Sequence, residues 1–136
     1  MVELLVNIDV EDLGAAERFY REAFGFSAGR RLGAGAVELL GAGVPVYLLE
    51  KPAGSPAGVA AATRGYQRHW TPVHLDLAIP DLDAAMARAV AAGAVLEDEP
   101  RAAAWGRIVQ LADPFGLGVC LIQFTAAGYD AIADPR

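Results

Sequence analysis

From Val73 to Ile79 apolar and polar residues alternate, with Val73, Leu75, Leu77 and Ile79 on one face and His74, Asp76 and Ala78 on the other. A period of two marks a half-buried strand, whose apolar face packs under a helix while its polar face looks into whatever the sheet encloses. The helix follows at once. Pro80-Asp81 is a turn with a good N-cap, Leu82, Ala85, Met86, Ala89 and Val90 recur at helical spacing, and Gly93 ends it. The start of the chain has the same order of events: Val6, Ile8 and Val10 alternate with Leu5, Asn7 and Asp9, and a helix opens at Asp12. Asp12-Leu13-Gly14-Ala15-Ala16 and Asp81-Leu82-Asp83-Ala84-Ala85 are one phrase repeated, so the chain is built from two like modules.

The first module reads as a strand over Glu3 to Val10, a helix over Asp12 to Phe24 burying Leu13, Ala16, Phe19, Tyr20 and Ala23, and strands at Phe26 to Leu32, Ala36 to Leu40 and Val44 to Glu50, separated by Gly-rich turns. In the second, Ala94 to Glu99, Trp105 to Leu111 and Leu117 to Phe124 are the later strands, and Asp113-Pro114-Phe115-Gly116 makes the last turn. Both modules are βαβββ, an α+β arrangement. The expected organisation is a single domain over 1–136: a first module at 1–50, a crossover at 51–69, a second module at 70–125 and a tail at 126–136. The crossover reads as a surface loop in preference to a lid, with a helical turn around Val59 to Ala62 and with Tyr66 to Trp70 suited to covering a pocket. In the tail, Tyr129 and Ile132 are candidates for docking on the body.

Composition narrows the partners. A formal net charge of −6 argues against binding a phosphate backbone, which needs clustered Lys and Arg, and favours a small organic molecule. No run approaches the roughly 18 apolar residues of a membrane span. Glu3 sits where an export signal wants positive charge, and Cys120 is the single cysteine; both point to a cytoplasmic protein without an internal disulfide. The Gly33-Ala34-Gly35 and Gly41-Ala42-Gly43 runs lack the spacing and following helix of a nucleotide-binding loop.

These residues carry a resemblance. Paired βαβββ modules, a helix ending in Phe19-Tyr20-Arg21-Glu22-Ala23-Phe24-Gly25-Phe26 and the Asp113-Pro114-Phe115-Gly116 turn resemble the vicinal oxygen chelate superfamily of glyoxalases, bleomycin-resistance proteins and extradiol dioxygenases. The resemblance implies a curved eight-stranded sheet cupping a cavity, pairing of two chains as a homodimer, which would also cover open sheet edges, and, in metal-dependent members, four ligands from the first and last strands of both modules. Carried over, these positions are Leu5, Leu48, His74 and Cys120. Two are Leu, so no cofactor is expected and the usual metal centre is missing; a divalent metal survives only if Glu50, two residues from the inherited position, joins His74 and Cys120.

In that setting His74 is either a general base, a ligand partner or a core histidine satisfied by Asp76 or Asn7. Asn7, Asp9 and Asp76 accompany it on the two central strands, and Tyr47 and Trp70 are further candidates for the cup lining. Trp105 and Arg107 offer a flat wall beside a cation, or else a core Trp with a solvated Arg. Cys120 reads as a small buried hydrophobe in preference to a nucleophile. The expected function is small-molecule binding without a metal at the usual site. The alternatives are a lyase, isomerase or dioxygenase-type enzyme using His74 as base or the shifted Glu50 set, and a non-catalytic dimerising domain.

Overall fold

The computed structural model describes residues 1–59 and 61–135. The chain forms two compact units, Met1–Gln67 and Arg68–Arg136, so most of the crossover belongs to the first unit, and residues 68 and 69 with the tail belong to the second. The helical turn expected at Val59 to Ala62 includes Ala60, which lies outside the described residues, as does Arg136. Among the described residues no helix is long and apolar enough to cross a membrane.

The first unit runs β1 (Val6–Val10), α1 (Leu13–Phe24), β2 (Ser27–Arg31), β3 (Ala36–Leu40) and β4 (Val46–Glu50), in a mixed sheet of order β1-β4-β3-β2. Helix α1 starts where Asp12 turns its carboxylate onto the Ala15 N–H at 3.0 Å, and it stops where Gly25 takes φ 74°, a left-handed conformation that an L side chain resists. The five core positions expected on this helix are all buried. They pack on Ile8, Val10, Val46, Leu48, Val37 and Leu39, which the strand register puts on one side of the sheet. Each large aliphatic side chain fully buried here contributes roughly 1.5–3 kcal/mol. Glu17 is also buried on α1, an exception to the apolar stripe, and its carboxylate accepts from Arg31 at 2.8 Å.

The second unit runs β5 (Leu75–Ala78), α2 (Leu82–Ala92), β6 (Val95–Leu96), β7 (Arg101–Ala103), β8 (Gly106–Ala112) and β9 (Gly118–Phe124). Its sheet has the order β5-β9-β8-β6, with β7 also paired to β8. Among the described residues the fold is thus α+β with two mixed sheets and nine strands, where the family resemblance implied one curved sheet of eight. The extra strand comes from a break. Asp98 Oδ1 accepts from the Gln110 N–H at 2.9 Å in place of a backbone carbonyl, and Pro100 has no N–H to give, so the expected strand over Ala94 to Glu99 is interrupted and resumes as β7. Val73 is a second departure: it lies before β5 and is exposed, whereas Leu75, Leu77 and Ile79 are half-buried. On α2, Leu82, Ala85 and Ala89 are buried as expected, Met86 is half-buried and Val90 is exposed.

The tail forms a 3-10 turn at Gly128–Ala131 that sets Tyr129 against Phe124 and Trp105, with ring centroids 4.8 and 5.9 Å away. Ile132 stays exposed.

Candidate functional site

Strand pairing places the candidate residues in rows. In the second unit Asp76 pairs with Cys120 and Cys120 with Gln110, giving a row Asp76–Cys120–Gln110 across β5, β9 and β8. The α2 side of this sheet carries Val109, Leu111, Val119 and Leu121, all buried, so the row lies on the other face. In the first unit Asn7 pairs with Tyr47 and Tyr47 with Glu38, giving the row Asn7–Tyr47–Glu38 away from α1. Asn7 and Asp76 are equivalent positions of the internal repeat, so Tyr47 corresponds to Cys120 and Glu38 to Gln110.

This register corrects the inherited ligand set. Leu48 faces α1 and is wholly buried; the position matching Cys120 is Tyr47. Glu50 sits on the Leu48 side, where its Oε2 accepts from the Leu13 N–H at 2.9 Å. It thereby serves the start of α1, as Gln123 does for α2 by accepting from the Leu82 N–H at 2.7 Å. Glu50 is therefore not placed to supply a shifted metal site. Nor do the residues present fit the divalent ion of metal-dependent relatives: Leu5 has no donor atom, Tyr47 is held by Glu38 and Arg30, and among the described residues no three of His, Cys, Asp and Glu converge.

In the first unit the polar row is internally satisfied. Glu38 is buried, accepts from Arg30 through its backbone N–H, Nε and Nη2, the last at 2.7 Å, and takes the Tyr47 hydroxyl at 3.3 Å. The bonds from Arg30 hold its carboxyl down at about 2. Asp9 accepts from Arg64 Nε at 2.7 Å, and Arg64 also donates to Ser55 Oγ and the Pro56 carbonyl. The crossover is accordingly folded back on itself, with a Pro56–Thr63 bridge and the Tyr66 hydroxyl on the Lys51 carbonyl at 2.7 Å. A depression along α1, lined by Glu17, Arg18, Arg21, Glu22 and Phe26 among others, lies apart from this row and is walled by charged side chains.

In the second unit the row is extended by side chains that enter from before β5. His74 Nδ1 lies 3.1 Å from Asp76 Oδ1, and the Trp70 ring lies 4.8 Å from the His74 ring at a tilt of 42°. Arg68 donates to both oxygens of Glu97, at 2.8 and 2.7 Å, and Gln110 Nε2 donates to the same carboxylate at 2.9 Å. This buckle ties the segment carrying Trp70 to the sheet. A Cβ at Gly118 would crowd the Arg68 guanidinium, so the glycine leaves room for the buckle in this position. The Arg68 bonds pull the Glu97 carboxyl below its ordinary range and raise the guanidinium. Burial, then the charge of Asp76 and a hydrogen bond to it, push the Cys120 thiol up to about 11. A thiol so raised is protonated at neutral pH and is a poor nucleophile.

The structure thus gathers Trp70, His74, Asp76 and Cys120, holds Asn7 and Tyr47 in the equivalent row, and ties Asp9 to the crossover. Trp105 joins the aromatic cluster with Phe124 and Tyr129, and Arg107 points to the α2 side, 3.2 Å from Asp83. Gln110, Glu97, Arg68 and Glu38 were not among the sequence candidates. Gln110 and Glu38 were detectable by pairing the hairpin strands onto Cys120 and Tyr47; the Arg68–Glu97 pair spans 29 residues and leaves no local signal.

Two βαβββ units with equivalent polar rows define a vicinal oxygen chelate fold. The chain belongs to the glyoxalase-like domain family, whose model matches residues 5–122. A curated relative, the anthracycline biosynthesis protein DauV of Streptomyces sp. (strain C5), is 28% identical over 129 residues, which is 95% of this chain but 43% of that protein. Among solved structures, TioX from Micromonospora sp. ML1 superposes with a TM-score of 0.71 at 20% identity, covering 92% of this chain and 100% of that one. The genomically encoded fosfomycin resistance protein FosX from Listeria monocytogenes gives 0.70 at 20% identity, covering 93% and 97%. These two share the fold.

Proposed function

We propose that the chain is a small-molecule-binding protein of the glyoxalase and bleomycin-resistance type that takes a planar organic ligand without a metal at the usual family position. The observation that carries this reading is the exposed Trp70 ring beside the His74–Asp76 pair, at the edge of a row that ends in Gln110. A flat apolar surface next to a few oriented polar groups is how such sites hold flat ligands. The relative named for anthracycline biosynthesis is in keeping with this, because anthracyclines are fused planar rings. With Trp105→Phe as background, leaving Trp70 as the sole tryptophan, a three-ring probe such as acridone is expected to quench the remaining emission. Trp70→Ala is expected to weaken its binding at least about tenfold. Unquenched Trp70 emission across a panel of planar probes would sink the reading.

A second reading, a metal-free lyase or isomerase, is favoured by the His74–Asp76 hydrogen bond. With Nδ1–H donating to Asp76, the neutral imidazole presents Nε2 as a proton acceptor and Asp76 fixes its orientation. Incubated in D2O, a bound aryl ketone with an acidic α-hydrogen is then expected to exchange that hydrogen, and His74→Asn to abolish exchange with binding retained. Exchange at the uncatalysed rate for every such ketone that binds, or unaltered exchange in His74→Asn, rejects it.

A further inference from the structure

We infer that the ligand of the second unit's polar row carries a protonated amine next to its planar ring, with the ammonium seated on Asp76 and the ring on Trp70. The inference rests on the binding reading above and deepens it. The charges around the row are mostly neutralised in pairs: Arg68 with Glu97, Arg101 with Asp98 at 3.4 Å, and Arg107 with Asp83 on the far side. Asp76 is the exception. Its hydrogen-bond partner is His74 Nδ1, which is not a permanent cation, and among the described residues no Lys or Arg stands within ion-pairing distance of it.

The Asp76 side chain is 36% exposed, so it is reachable, and partly desolvated, so a charge-assisted bond there is worth more than one in open solvent. His74 links Asp76 to Trp70, its Nδ1 3.1 Å from this carboxylate and its ring 4.8 Å from the Trp70 ring, so a ligand that lies along His74 can meet both Asp76 and Trp70. Cation–π attraction reaches about 6 Å from a ring centroid. An anionic ligand, by contrast, would meet Asp76 unscreened and find the neighbouring guanidinium groups already occupied.

The test compares three flat probes of similar size on the full chain at about 0.15 M salt, where general attraction to an acidic protein is screened: 9-(aminomethyl)anthracene (cation, an ammonium beside the rings), acridone (neutral) and anthraquinone-2-sulfonate (anion). The cation is expected to bind about tenfold more tightly than acridone, and the anion more weakly than either. Asp76→Asn should erase the preference while leaving acridone binding unchanged, and Asp76→Glu should keep part of it. Glu22→Gln, on the exposed face of α1, should change nothing. If acridone binds through Trp70 but the preference is missing, survives Asp76→Asn, or falls equally in Glu22→Gln, this inference is overturned and the binding reading stands. If no probe shows Trp70-dependent binding, both fall.

Discussion

Leu48→Glu is expected to unfold the protein, whereas Tyr47→Phe, one residue away, is expected to leave it folded. Leu48 has no exposed surface, lies between Ile8 and Val37 in adjacent strands, and faces α1. A carboxylate there would be ionised without a partner or forced to protonate, at a cost of several kcal/mol. A domain of this size is stabilised by only roughly 5–15 kcal/mol in total. Tyr47→Phe removes one hydroxyl, whose bond to Glu38 is 3.3 Å long, and Arg30 still satisfies that carboxylate; a loss within about 1.5 kcal/mol follows. Urea titrations followed by far-UV circular dichroism separate the two outcomes. A stable Leu48→Glu protein would mean that the strand register is displaced by one residue, returning Leu48 to the polar row and reopening the inherited ligand set.

Gly106→Ala is the second large effect expected, a destabilisation of about 3 kcal/mol or more, because two independent constraints exclude a side chain there. Its φ is 151°, a conformation that L side chains rarely adopt, and a Cβ would stand 2.1 Å from the Gln123 carbonyl oxygen and 2.9 Å from Phe124 Cα. Those atoms are backbone and cannot swing aside, so the β8–β9 ladder must splay where Gly106 pairs with Phe124. The Trp105–Phe124–Tyr129 cluster rests on that end of the ladder. The variant should therefore melt about 10 °C lower and lose near-ultraviolet ellipticity, while ligand contacts through Trp70 at the other end persist. An unchanged melting temperature would show that the close approach of β8 to β9 at Gly106 is not built into the native state.

The sequence alone determined the features that arise from neighbours along the chain. Alternation in Val6 to Val10 and Leu75 to Ala78 marked strands and their faces, Asp12 and Asp81 marked helix starts because their carboxylates reach N–H groups three residues on, and Gly25 and Gly93 marked helix ends. The repeated phrase made the two-module fold legible, and the parity of His74 and Asp76 put both on the polar face. What only the tertiary structure decided was register and partnership. A strand has a period of two, so an error of one residue exchanges its faces; the apolar-looking strand from Val46 to Glu50 does not by itself distinguish Leu48, which faces α1, from Tyr47, which holds the position matching Cys120. Charged groups found partners far away in sequence, Glu50 at the Leu13 N–H, Arg64 at Asp9 and Arg68 at Glu97. Each such pairing follows from where folding brings two segments together, and no local pattern encodes it. Asp76 stands apart from these ion pairs for the same reason: whether a carboxylate is left to bind something else depends on where the guanidinium groups end up, which only the assembled sheet decides.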